Sequence, residues 1–108
     1  MFTILLTDIL LKLDDLGNLK WLLQPVSAYW IPIADQLGMT SQVAAIRGTP
    51  DNTSPSAFMR DLLNRWLSRE HPSPTLKALC QALRRDDEII GGSVVANKLE
   101  KEFPGQIG

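Results

Sequence analysis

The side chains able to perform covalent or proton chemistry are few and scattered. Cys80 is the single cysteine and His71 the single histidine. Neither has an acid, base or metal ligand at an activating spacing. A thiol nucleophile needs a neighbouring base, whereas Cys80 falls on the stripe Leu76, Leu79, Cys80, Leu83 and reads as a small core residue. His71 sits in the loop His71-Pro72-Ser73-Pro74, where a solvated side chain is expected. Gly91-Gly92 lacks the spacing of a phosphate-cradling loop and reads as a turn into a helix. No catalytic residue, cofactor or metal site is therefore expected, and the chain reads as a non-enzyme. What remains is charge: Arg65 and Arg69 one helical turn apart, and the run Asp86-Asp87-Glu88. Such clusters can steer and register a protein partner. The plain alternative is hydrated surface, with Asp61 pairing to Arg65 at i, i+4 for about 0.3 to 0.5 kcal/mol.

Composition narrows the field further. A chain of 108 residues makes one domain. With 44% hydrophobic and 21% charged residues it has enough apolar side chains to bury a core. The net charge of -1 and pI near 5.7 create no basic field, so nucleic acid is not an expected partner. A lone cysteine cannot close a disulfide within the chain, which favours an intracellular, cytoplasmic site. Residues 2–13 are the most apolar segment, yet Thr7, Asp8 and Lys12 interrupt them and they fall short of the roughly 20 residues that span a bilayer. Membrane insertion is not expected. A basic start and a small-residue cleavage site, which mark a signal peptide, are not seen either.

These charges are positioned by short amphipathic helices. Leu19, Leu22, Leu23 and Val26 form an i, i+3, i+4, i+7 stripe with Asn18 as a candidate N-cap, and Pro25 must end or kink that helix. Trp30, Ile33, Ala34 and Leu37 make a second stripe. Pro32 requires that helix to begin near Tyr29 or Trp30, and Gly38 closes it. Ser41 is a candidate cap for a third helix through Val43, Ala44 and Ile46, ended by Gly48. Ser54-Pro55 opens the fourth, which buries Met59, Leu62, Leu63, Trp66 and Leu67. Thr75 opens the fifth, whose stripe is the one that contains Cys80. After the acidic run, Ser93 can cap a sixth helix carrying Val95, Ala96, Leu99 and Phe103, stopped by Pro104-Gly105. An accessory helix over residues 2–16 is predicted from Leu6, Ile9, Leu10, Leu13 and Leu16. Trp30 and Trp66 belong to the core, while Trp21, offset from its stripe, reads as partly buried packing or, as the alternative, an exposed partner contact.

The ordered set Trp30-x-x-Ile33-Ala34-x-x-Leu37-Gly38, Ile46, Leu62-Leu63-x-x-Trp66-Leu67, Pro74-Thr75 with Leu79, Ala82 and Leu83, and Val95-Ala96-x-x-Leu99 resembles the death domain. The resemblance implies an all-α, six-helix antiparallel Greek-key bundle over residues 15–104, with an accessory segment at 1–14 and a tail at 105–108. It also implies an intracellular interaction module, an adaptor or receptor part that contacts other death-fold domains, including copies of itself, and assembles oligomers in apoptotic or innate-immune signalling. No small-molecule substrate is implied. The expected core is Leu19, Leu22, Trp30, Ile33, Ala34, Leu37, Ile46, Met59, Leu62, Leu63, Trp66, Leu67, Leu76, Leu79, Leu83, Val95 and Leu99.

In such modules the basic end of helix four, here Arg65 and Arg69, meets the loop before helix six, here Asp86, Asp87 and Glu88, on a neighbouring subunit. Opposite charges on separate patches suit a head-to-tail contact that propagates. A second implied contact sets Asp14, Asp15 and Asp35 against Arg60 or Lys20, and a third involves Arg47 and Asp51. Two other readings stand beside this one. The first is a heterotypic docking module that never self-assembles and presents residues 2–13 to its partner. The second is a helix-turn-helix DNA-binding domain around Leu37-Gly38-Met39, for which helix three offers only Arg47.

Overall fold

The computed structural model describes residues 10–69 and 73–105, and of 103–105 the backbone alone. Among the described residues the chain is all-α. In order, the helices are α1 (Leu16–Leu23), α2 (Trp30–Gln36), α3 (Val43–Arg47), α4 (Pro55–Leu67), α5 (Leu76–Arg85) and α6 (Gly92–Gly105). Short 3-10 turns precede α1 (Leu13–Asp15), join α1 to α2 (Gln24–Tyr29) and precede α3 (Thr40–Gln42). Helix α4 is the centre, packing on α1, α2 and α3, and α5 pairs most extensively with α6. Of the periodic stripes, Val43 is half-buried and Ala44 exposed, and every residue named above as the expected core is buried. They are joined there by Leu11, Leu23, Val26, Met39, Cys80, Ala82, Ile89 and Ala96.

Helix α4 shows how directly local chemistry acts. Ser54 is extended (φ -142, ψ 158), and its Oγ accepts from the Ala57 amide at 3.2 Å while Pro55 fills the first helical position. Thr75 does the same for α5 through the Ala78 amide at 3.1 Å. Each such cap satisfies an amide that the helix itself cannot. Ser54→Ala is expected to lower unfolding free energy by about 1 kcal/mol, read from the urea midpoint. Helix α2 closes at Gly38, whose φ of +74 lets the chain reverse. Met39 N then donates to Ala34 O at 2.8 Å and Gly38 N to Asp35 O at 3.2 Å. That is the paired closure of a Schellman motif, and it sends Met39 into the core. Trp30, at the start of α2, stacks on Phe58 of α4 with ring centroids 4.8 Å apart.

Four expectations about local structure are corrected. Asn18 does not cap α1: the helix begins at Leu16, and the turn before it is held by Asp15 Oδ2 accepting from the Lys12 amide at 2.8 Å. Ser41 does not cap α3, because it lies inside a 3-10 turn where Gln42 takes the capping position without a side-chain bond. Ser93 lies within α6. Gly91, at φ +83, precedes that helix, and its carbonyl accepts the Val95 amide at 3.1 Å. The accessory helix is not continuous: Leu13–Asp15 are a 3-10 turn and Leu16 opens α1, but the stretch just before them departs from it. Residues 10–12 are not helical: Leu10 bridges antiparallel to Thr75, and Leu11 N donates to Pro74 O at 3.0 Å. An extended chain alternates its faces, so Leu11 is buried while Leu10 is 59% exposed. The remainder of that expectation, over residues 1–9, and His71 both lie outside the described residues.

Pro25 acts as expected. Helix α1 stops at Leu23, and Val26 leaves helical geometry (φ -109, ψ 15) within the connecting turn.

Candidate partner interface

The acidic run is held in a defined shape by an apolar anchor. Ile89 is buried at 4% exposure. Asp86 Oδ1 accepts from the Glu88 amide at 2.9 Å, and the Asp86 carbonyl accepts from Ile89 N at 3.0 Å. This is an Asx-type turn, and it leaves Asp87 and Glu88 exposed. Neither of those carboxylates enters an ion pair among the described residues.

The basic end of α4 is differently placed, for both arginines are joined to the scaffold. Arg65 Nε donates to Asp61 Oδ1 at 2.9 Å, so the i, i+4 pair is present, and Nη1 donates to Gln42 Oε1 at 2.9 Å. Asp61 also accepts from Asn52 Nδ2 at 2.8 Å, and the same amide group donates to Ile46 O at 2.9 Å. One carboxylate thereby ties α4 to the end of α3 and to the loop between them. Arg69 Nη1 donates to Leu37 O at 3.1 Å, placing a cation at the C-terminus of α2, where orphan carbonyls and the helix dipole favour it.

The remaining candidate charges regroup. Asp35 and Arg47, expected in separate contacts, line one groove of about 720 Å3 between α2 and α3, with Ile31, Val43 and Ala44. Thr40 Oγ1 donates to Asp35 Oδ1 at 2.8 Å and steadies that rim. Arg60 and Asp51 line a different cleft of about 380 Å3, beside Leu16 at the start of α1. Asp14 and Asp15 lie in the turn before α1, and Lys20 is half-buried on the helix itself.

Two features sharpen the sequence reading. Of the two places open to Trp21 it takes the exposed one, at 72% exposure, because α1 turns Leu19, Leu22 and Leu23 inward and the indole outward. Arg84 of α5 forks onto α6: Nη1 and Nη2 donate to the two Glu100 carboxylate oxygens at 2.9 and 2.7 Å, and Nη2 also donates to Asn97 Oδ1 at 2.7 Å. A bond between helices has no period to betray it. The Arg84 guanidinium holds the Glu100 carboxyl below its ordinary value of 4.5. A depressed folded-state value contributes stability that is complete above 4.5 and is lost as pH falls through the folded-state value. Glu100→Gln should therefore melt below the wild type at pH 7, with the difference closing on acidification, as thermal scans along a pH series would show. Burial pushes the neighbouring Cys80 thiol up to about 11, so it stays protonated near neutral pH and is a poor nucleophile.

Among the described residues, no group of three or more His, Cys, Asp or Glu side chains could hold a metal ion, and no helix is long and apolar enough to cross a membrane. Searches of curated proteins and of solved structures find no match. Residues 16–89 match the family described as Death domain. That span runs from the first residue of α1 through the buried anchor of the acidic turn, and takes in both tryptophans of the core. The chain belongs to the death domain family, whose members are non-catalytic protein-protein interaction modules.

Proposed function

We propose that this domain is a cytoplasmic adaptor or receptor module that makes homotypic contacts with other death-fold domains and with copies of itself, assembling oligomers in apoptotic or innate-immune signalling. Its helices would take the antiparallel Greek-key arrangement of the family. The observation that carries this reading is the acidic turn: Asp87 and Glu88 are exposed and without an ion pair among the described residues, on a loop whose shape Ile89 and Asp86 already hold. A preformed charged turn loses little entropy on binding. Its complement on a second copy is the basic end of α4, where Arg65 Nη2 has no partner among the described residues and Arg69 closes the corner. Patches on different elements make a heterologous contact, which propagates where its rotation does not close. The Asp35/Arg47 groove and the Asp51/Arg60 cleft provide charged surfaces for further contacts, as do Asp14, Asp15 and Lys20.

The internal bonds of Arg65 and Arg69 support a second reading, heterotypic docking without self-assembly, in which the acidic turn meets a basic surface of another protein.

Sedimentation velocity across protein concentration and salt tests the assembly. The wild type should form larger species with concentration and smaller ones with salt. Asp87→Arg combined with Glu88→Arg should remain small and should shorten wild-type assemblies when mixed with them. A wild type that stays monomeric in all conditions and captures no death-fold domain overturns the proposal. One that stays monomeric yet captures such a domain through the acidic turn establishes docking instead of self-assembly.

A further inference from the structure

The acidic turn carries an apolar side chain as well as its charges. Ile90 is 69% exposed, and its amide donates to the Glu88 carbonyl at 3.0 Å, so it shares one turn with the exposed Asp87 and Glu88. Such a tip matches a surface that offers apolar area and cations together. The start of the described chain has one. Leu10, Lys12 and Leu13 line a cleft of about 320 Å3 with Leu67, Arg69 and Pro74. Leu10 and Leu13 are 59% and 49% exposed. Because residues 10–12 are extended, burial of Leu11 leaves Leu10 and Lys12 outside, and the Lys12 ammonium enters no ion pair among the described residues. Both charges among the described lining residues are positive. Asp14 and Asp15 follow in the next turn without lining the cleft, Asp15 being turned back onto the Lys12 amide, and Glu70 lies outside the described residues. The competing clefts fit less well. The groove between α2 and α3 holds Asp35 with its Arg47, and the α4 cleft holds Asp51 and Asp61 with its Arg60. The cleft at Trp21 has Lys98 alone, with exposed Glu102 one turn further along α6, and no described residue of α4 lines it.

We propose that the acidic turn of a second copy docks in this cleft, with Ile90 on Leu10 and Leu13 and the Asp87 and Glu88 carboxylates at Lys12 and Arg69. Docking of this kind rests on the head-to-tail assembly proposed above and specifies where the turn lands. The cleft is continuous with the basic end of α4, since Leu67 and Arg69 lie at that end. Arg65 and Arg69 already donate to Asp61, Gln42 and Leu37 of their own chain, so they hold the corner in shape. Lys12 adds a cation with no such commitment, on a flexible stem that can reach a carboxylate of the incoming turn. Leu10 and Leu13 add apolar area for Ile90 to cover, and the water that leaves both surfaces strengthens the charge pairs. Residues 10–13 precede the span that matches the family, 16–89, so this chain extends the surface with a segment outside the match. Cleft and turn lie on different elements. Each copy therefore keeps one of each free after a contact, and further copies add unless the rotation closes a ring.

Sedimentation velocity reads the contact. Lys12→Glu should weaken self-association by about tenfold or more, and Glu88→Lys in the same chain should restore part of it. Lys98→Glu makes the same change of charge at the Trp21 cleft and should leave association unaltered. Adjacency is read by mixing Leu10→Cys with Ile90→Cys under mild oxidation. The disulfide between positions 10 and 90 should exceed those joining like positions, because only groups held in contact meet the narrow geometry of the bond. Cys80, at 3% exposure, stays out of the exchange. Leu10, Lys12, Glu88, Ile90 and Lys98 are all exposed, and circular dichroism confirms that each variant folds. Association that falls with Asp87→Arg and Glu88→Arg yet ignores Lys12→Glu, with no excess of the disulfide between 10 and 90, overturns this landing site and leaves head-to-tail assembly standing. Association that Lys98→Glu disrupts and Lys12→Glu does not places the turn at the Trp21 cleft and overturns it too. A wild type that never self-associates overturns both the landing site and the assembly it rests on.

Discussion

Gly92→Ala is expected to remove a large share of this domain's stability. A Cβ at position 92 would stand 2.1 Å from the Leu83 carbonyl oxygen and 3.0 Å from Ile89 Cγ2. The first of those atoms is main chain of α5 and cannot turn aside as a flexible side chain would. Relief requires α6 to lift from α5, and this is the most extensive helix pair in the bundle. Overpacking a close-packed site costs about 1 to 3 kcal/mol and occasionally more. Here the obstacle is rigid backbone, which places the substitution at or above the top of that range. Against a total of roughly 5 to 15 kcal/mol for a small domain, the loss would be plain in a urea titration. Gly91→Ala is the control. Nothing lies within 4 Å of its Cβ, and the strain is only that of a side chain at φ +83, about 1 to 2 kcal/mol. A Gly92→Ala midpoint no lower than that of Gly91→Ala would show that α6 does not enter against the α5 backbone as described.

Trp66→Ala is expected to cost about 3 to 5 kcal/mol, since it deletes the largest fully buried side chain from the helix on which α1, α2 and α3 all pack. The loss combines the transfer of an indole from water with the cavity left among neighbours that relax only in part. The informative contrast is with the same residue type elsewhere. Trp21→Ala should change stability by no more than about 0.5 kcal/mol in dilute protein, because the indole is 72% exposed. Equilibrium unfolding of the two variants side by side separates the tryptophan that holds the fold from the one that faces outward.

How far the sequence reveals this molecule depends on the range of each interaction. Features decided within four residues were legible: Ser54 and Thr75 as caps, Pro32 in the first turn of α2, Gly38 at its close, and the leucine stripes that become the core. Failures came where neighbours distant in sequence decide. Helical spacing through Leu10 is overridden at Leu10 and Leu11 by a backbone pairing with Thr75 and Pro74, which no local pattern encodes. Asn18 had the right chemistry for a cap, but the turn held by Asp15 had already started the chain into helix. Among the candidate interface residues, charge could be read, and so could the i, i+4 pair of Arg65 with Asp61, while pairing between elements could not. Asp35 shares a groove with Arg47, and Arg60 shares a cleft with Asp51, because α2, α3 and α4 cross there. Gly92 was read as a turn, and its actual constraint is the distance to another helix.

The short extended segment at residues 10–12 sets an order of events. Helices α5 and α6, like α3 and α4, are neighbours along the chain and close short loops as they dock, whereas Leu11 must find Pro74 across most of the domain. The entropy of closing a loop grows with its length, so this strap should dock after the bundle has condensed and detach before it dissolves. Amide exchange would register that sequence: the Leu11 proton should exchange through a local opening, well before those of α4, which wait for global unfolding. The strap thus acts as a latch, able to open while the six helices behind it remain folded.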